Sequence, residues 1–245
     1  MENLLSYLRN SVDEIHQDFI KNLKSVKFKE VLQNQNFEFF RTIKLLTPGL
    51  IITRCIEQRL YKTEERLFKN WCKKIAVIVN HEAYSGWASK IQGIDLEFTL
   101  ENDHYLIVIK SSLQGINRYQ IGKMSANINS AIRFLLSSNP QSSIVPIIGC
   151  CEENNGCYEG DNFQVYSGEK FWQMISGKKN LYKEVIEPLF TKARLQNEEY
   201  SIQYANMINR FSREFFDAYC FQDGAIDWQK LVQVNNRKEV LRFNA

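Results

Sequence analysis

Gly93-Ile94-Asp95-Leu96-Glu97-Phe98-Thr99-Leu100, then Glu101-Asn102-Asp103-His104, then Tyr105-Leu106-Ile107-Val108-Ile109-Lys110-Ser111-Ser112 is the stretch on which the fold turns. Its first eight residues alternate, with apolar side chains at Ile94, Leu96, Phe98 and Leu100, as a strand with one buried face does. Its last part is a continuous β-branched and aliphatic run that suits a strand buried on both sides. The polar segment between them reads as a hairpin turn. A two-residue turn at Asn102-Asp103 sets Asp95 opposite Lys110 and Glu97 opposite Val108. Because side chains alternate across a strand, Asp95, Glu97, Val108 and Lys110 then share one face, and Ile94, Leu96, Ile107 and Ile109 fill the other.

Working outward, residues 1–79 carry apolar side chains at helical spacing, as in Leu4, Leu8, Val12, Ile15 and Phe19. Pro48-Gly49 marks a break, so three or four helices are expected there. Past the hairpin, Ile121, Met124, Ile128, Ile132 and Leu135 form the stripe of an amphipathic helix. Ser143–Gly149 reads as a further strand, and the helix between becomes a crossover within one sheet. Beyond Gly168 helices are expected around Phe171–Ile175, Leu181–Gln196, Tyr200–Tyr219 and Ile226–Val234. The fold class is mixed α/β, a sheet core flanked by helices. One domain is expected, with a helical region over 1–79, an α/β core over 80–151 and a helical region over 152–245. Phe171, Trp172, Phe211, Phe215, Phe216 and Trp228 read as helical core rather than a base-stacking platform.

A chain of 245 residues, 44% hydrophobic and 24% charged, is an ordinary globular composition able to bury a sizeable core. No run of eighteen apolar residues is present, which argues against a membrane span. Acids interrupt the apolar pattern of the first twenty residues, unlike a signal peptide. With six cysteines and no export signal, thiols in a reducing cytoplasm are expected. Cys150, Cys151 and Cys157 lack the paired spacing and nearby histidine of a zinc knuckle, and read as buried or loop thiols. A net charge of +3 proves no partner. Its distribution says more: residues 1–74 hold 14 Lys and Arg against 9 acids, a basic third that fits either a phosphate-facing surface or a solvated helical face.

Two carboxylates and an amine converging at one strand end suit phosphodiester hydrolysis. Carboxylate oxygens hold a hard cation such as Mg²⁺, the ion offsets phosphate charge and acidifies a bound water, and a lysine positions or deprotonates that water. A charged pair across a hairpin is most often just a solvated strand face. Placement favours chemistry here, because Lys110 closes an otherwise apolar strand, where an unpartnered ammonium is costly.

At these residues the chain resembles the PD-(D/E)XK nuclease superfamily. Within it, Gly93–Phe98 (GIDLEF) followed by Tyr105–Ser112 (YLIVIKSS) is similar to PmeII-like type II restriction endonucleases. The likeness continues through Asn117, Gln120, Gly149–Cys151, Phe171–Gly177, Leu181–Pro188 and Gly224–Asn236, covering roughly residues 60–245. The resemblance implies a restriction-endonuclease-like core and site-specific cleavage of duplex DNA with Mg²⁺. It makes Asp95 the metal-binding aspartate and Lys110 the catalytic lysine. Val108 stands where the superfamily has an acid, and PmeII-like sequences have serine. Glu97, across the ribbon in the register above, is the expected replacement, giving Asp95 and Glu97 as the metal pair. The segment Glu64–Lys73 resembles a family helix whose last acid is Lys73 here and whose glycine is Lys69. Glu65 is retained as a third candidate ligand, although an exposed helical acid is the commoner reason for such a residue.

Asn117, Gln120 and Lys123, at the start of the crossover helix, are candidate DNA contacts, with a plain surface role for Lys123 an equal alternative. His104, in the turn, reads as structural. A two-fold DNA site implies a homodimer, with bases read from the C-terminal helices or the Leu113–Tyr119 loop, and a partner DNA methyltransferase completing a restriction-modification system. Two other readings stay open: a structure-specific repair nuclease of the same superfamily, and a DNA-binding relative without catalysis.

Overall fold

The computed structural model describes residues 2–113, 116–152 and 162–236. Its elements run α1 (Glu2–Ser25), α2 (Phe28–Val31), α3 (Phe37–Thr42), α4 (Pro48–Tyr84), β1 (Trp87–Ala88), β2 (Leu96–Leu100), β3 (Asp103–Lys110), α5 (Arg118–Ser138), β4 (Ser143–Cys150), β5 (Gln164–Ser167), α6 (Gly168–Ser176), α7 (Leu181–Tyr219) and α8 (Trp228–Asn236). The class is mixed α/β with helical ends, as expected. Two compact units are present, residues 1–15 with 66–193 and residues 16–65 with 194–245. Among the described residues, no helix is long and apolar enough to cross a membrane.

The first unit is built on a five-stranded sheet of order β1-β2-β3-β4-β5. β1, β2 and β3 pair antiparallel, while β3, β4 and β5 pair parallel. The parallel β3–β4 pair requires a crossover, and α5 supplies it. Asn117 and Gln120 start this helix with a reciprocal capping box: each side-chain oxygen accepts from the other residue's backbone N–H, at 2.9 and 3.0 Å. The apolar stripe of α5, with Met124 and Ile128 buried, packs on Leu106, Val108, Ile148 and Ile94. Pro146 sits inside β4, but β5 begins pairing only at Ile147. The missing N–H therefore falls on a stretch of β4 outside the β5 ladder.

Phe98 stacks between Tyr105 and Tyr84, at ring centroids of 4.6 and 5.4 Å. Trp172 and Phe171 of α6 are fully buried, and Trp172 donates its indole N–H to the Cys151 carbonyl at 3.1 Å. Gly149 makes this packing possible, since a Cβ there would lie 2.1 Å from the Phe171 ring.

The second unit is helical, with a core that includes Leu23, Val31, Phe37, Phe40, Ile51, Ile52, Met207, Phe211, Phe215 and Leu231. The aromatic group expected to form one helical core is thus divided. Phe171 and Trp172 belong to the first unit, Phe211 and Phe215 to the second, and Phe216 is 43% exposed.

Three boundaries differ from the sequence reading. The tight turn falls at Glu101-Asn102, because Leu100 pairs with Asp103, and Glu101 takes φ 55°. Such a left-handed residue is what two-residue hairpin turns demand, usually met by Gly, Asn or Asp. Residues 181–219 form one helix rather than two. β5 lies in the part expected to be helical; it is four residues long and finds its partners only along β4.

Glycine substitutions test this packing. Gly149→Ala should lower the unfolding free energy by about 1–3 kcal/mol in urea denaturation, through overpacking against Phe171. Gly122→Ala, on exposed α5 with nothing within 4 Å of the new methyl group, should raise it by about 0.5–1 kcal/mol. Equal effects at both positions would contradict the Phe171 contact.

Candidate active site

Asp95 precedes the first residue of β2 and is anchored by backbone and side chain alike. Its N–H donates to the Ile107 carbonyl at 2.8 Å, and its Oδ2 accepts from the Ile109 N–H at 2.7 Å. The carboxylate so replaces the main-chain acceptor that a longer β2 would have offered to β3. The chain can leave the ladder there because Gly93 adopts φ +87°, and a Cβ on it would meet the Asn127 side chain at 2.4 Å. Ile94 leaves the face expected for it with Leu96, Ile107 and Ile109, because the turn at Gly93 swings it into the α5 core beside Leu106 and Val108.

Two lysines of α4 approach the same place. The Lys73 ammonium forms an ion pair with Asp95 Oδ1, with side chains only 30% and 19% exposed. Lys69, one helical turn earlier, and Lys73 both act on Lys110 as like charges. Lys110 ends β3, where its backbone pairs with Cys150 and its carbonyl accepts from the Cys151 N–H at 2.8 Å. Burial holds the Lys110 amine below the usual lysine range, repulsion from Lys69 and then Lys73 pushes the same way, and Asp95 opposes them. Lys73 is thus the amine in contact with Asp95, while Lys69, Lys73 and Asp95 all act on the charge of Lys110.

Glu97 takes a different direction. It is 5% exposed, and its Oε2 lies 2.9 Å from His104 Nε2. The reason is register. β2 and β3 pair as Leu96↔Ile107, Glu97↔Leu106 and Thr99↔His104, so the expected facing of Glu97 with Val108 and Asp95 with Lys110 is corrected. The ladder ends at Leu96↔Ile107, and beyond it Asp95 is tied to β3 through the Ile107 carbonyl and the Ile109 N–H, near enough to Lys110 to act on its charge. Glu97 and His104 become diagonal neighbours in turn, with Trp87 edge-on to the imidazole at 6.0 Å.

Among the described residues, no three His, Cys, Asp or Glu side chains gather where they could hold a metal ion. Asp95 nonetheless fits one. Its Oδ1 already carries a cation, the Lys73 ammonium, and a carboxylate oxygen is the donor a hard divalent ion prefers.

Comparison with protein families decides the identity at this point. Residues 2–197 match the family model described as type II restriction endonuclease EcoO109I. The chain belongs to this EcoO109I family of type II restriction endonucleases. No curated protein matches it. Membership makes the chain a nuclease whose substrate is DNA.

The remaining predicted residues of this EcoO109I-family chain are distributed as follows. Asn117 and Gln120 commit their side-chain oxygens to the α5 capping box, which leaves their amino groups outside it, and Lys123 is exposed on the same helix. Gln114 and Gly115 of the neighbouring loop lie outside the described residues, as does Cys157. Glu65 is exposed on α4 and belongs to the second unit. His81 bonds the Gly86 carbonyl through Nδ1 at 2.9 Å. Cys72, Cys150 and Cys151 are buried, and the hydrogen bond with Cys72 together with burial raises the Cys151 thiol well above the usual range. Sequence reasoning missed Lys69 and Lys73 as site residues, although both stood out as charged replacements within a recognisable helix.

The crowding of amines has a stability consequence. A lysine whose folded pKa is depressed holds its proton less tightly folded than unfolded. The cost is full below the folded midpoint, and stability rises with pH between that midpoint and the ordinary lysine range. Lys110→Met should therefore raise the thermal midpoint at pH 7, with a gain that shrinks as pH approaches 10. An unchanged or lowered midpoint at pH 7 would show that Lys110 bears no electrostatic burden.

Proposed function

We propose that the chain cleaves both strands of duplex DNA at a short specific sequence by Mg²⁺-dependent phosphodiester hydrolysis. The observation that carries this reading is the meeting of Asp95 and Lys110 at one end of the sheet, inside a chain of a restriction-endonuclease family. In the finer classification we read it as a PmeII-like member of the PD-(D/E)XK superfamily. A cytoplasmic homodimer, matching a two-fold DNA site and working alongside a DNA methyltransferase, completes the proposal.

Each group has a defined task. Asp95 would hold the metal, with Glu97 as the second acid when His104 releases it. A bound divalent ion would supply positive charge against the phosphate oxygens and a water of lowered pKa. Lys110, with its amine disposed to lose a proton, takes the proton from the attacking water at Nζ. The water oxygen forms a bond to phosphorus as the bond from phosphorus to the deoxyribose 3′ oxygen breaks, and that oxygen takes a proton from solvent to leave as a hydroxyl. Lys69 and Lys73 add positive charge where the phosphate gains negative charge. Asn117, Gln120 and Lys123 would meet the DNA backbone beside this end of β3.

Digestion of plasmid DNA tests the reading. Wild-type protein with Mg²⁺ should give discrete bands. Asp95→Asn and Lys110→Met should each reduce single-turnover cleavage by about 10³-fold or more, as loss of a central catalytic group does, while retaining DNA binding in gel shifts. The wild-type rate should climb with pH and level off below the ordinary lysine range. Smeared products or nicks confined to branched DNA would indicate a repair nuclease instead. Intact plasmid with retained binding would indicate a non-catalytic DNA-binding relative, the reading favoured by Lys73 lying against Asp95.

A further inference from the structure

Both carboxylate oxygens of Asp95 are engaged without any metal. Oδ2 is held by the Ile109 N–H, and Oδ1 by the Lys73 ammonium. The ion pair is mostly shielded from water, so solvent and salt weaken it less than they would a surface pair. Lys73 is also badly placed to wander. It and Lys69 already act as like charges on Lys110, and an ammonium freed from Asp95 in that company needs another anion.

We propose that Lys73 is a built-in competitor for the cation position at Asp95, so that a divalent ion binds by displacing the ammonium and the freed Lys73 then turns to a DNA phosphate. The idea rests on Asp95 being the metal ligand. It adds that divalent affinity in this chain is set by a lysine as much as by the acids. Metal and DNA are thereby coupled: without a phosphate to receive Lys73, displacement is unfavourable, and with DNA present the same ion binds more tightly. By linkage, the ion strengthens DNA binding by the same factor. The coupling works as a safeguard, keeping the DNA-free protein poorly loaded with metal.

Mn²⁺ binding, followed by the EPR signal of the free ion, tests this without reference to cleavage. DNA-free wild-type protein should bind Mn²⁺ weakly. Lys73→Met should bind it about tenfold more tightly or better, the scale on which a contacting charge acts on a site. Lys73→Arg, which keeps the charge, should remain near wild type. A DNA duplex should tighten Mn²⁺ binding to the wild type and do so far less for Lys73→Met. Lys73→Gln serves as a second neutral variant, with circular dichroism confirming that each variant folds. If Lys73→Met and Lys73→Gln bind Mn²⁺ no more tightly than wild type while Asp95→Asn loses it, the competition is refuted and Asp95 remains the ligand. If Asp95→Asn binds Mn²⁺ as wild type does, the metal assignment fails and the competition falls with it.

Discussion

One hydrogen bond organises the working end of this molecule: the Ile109 N–H donating to Asp95 Oδ2. It converts an aspartate just outside a strand into part of the β2–β3 ladder, and so fixes an anionic group beside Lys110. The bond depends on Gly93, whose left-handed backbone and missing Cβ let the chain turn off against Asn127. It depends also on β3 being held along its full length by β4, from Asp103↔Ser143 to Lys110↔Cys150. Ile94, between the glycine and the aspartate, locks the turn by entering the α5 core. A glycine turn, a packed side chain and a carboxylate acting as backbone acceptor together place one charge.

That charge is outnumbered. Lys73 neutralises Asp95, and Lys69 and Lys110 add two further amines to a partly shielded space. Such an arrangement is poor for stability, because like charges repel and burial disfavours each of them. It is good for a site that must attract a polyanion and hold a lysine ready to release its proton. The surplus positive charge and the depressed Lys110 amine are therefore two expressions of one design, which a DNA phosphate completes. Cores elsewhere carry the cost. Trp172 and Phe171 pack under β4, and Phe211 and Phe215 centre the second unit.

The hairpin and the crossover helix were legible from alternation and composition alone. The register was not. Moving the turn from Asn102-Asp103 to Glu101-Asn102 shifts the pairing by two residues, which changes every partner of Leu96–Leu100 but leaves those residues on their original faces, so the hydrophobic pattern of the ladder fits both alternatives equally. The move rests on Glu101 accepting a left-handed φ, for which glutamate gives no hint. The Glu97–His104 pairing followed from that register and stayed hidden with it. β5 offers one apolar residue, Val165, in a four-residue stretch, and its ladder comes from contact with β4. The division into two units was equally invisible, because α1, α4 and α7 each contribute residues to both. Lys73 was visible as a replacement, but its bond to Asp95 joins residues 22 apart in sequence and required the fold.

The central claim, that one carboxylate and three amines share this sheet end, is tested most directly by NMR titration of the Lys110 side-chain amine. The account predicts a midpoint below the ordinary lysine value of about 10.4, raised by Lys69→Met and lowered further by Asp95→Asn. A midpoint at the ordinary value, unmoved by either substitution, would contradict it.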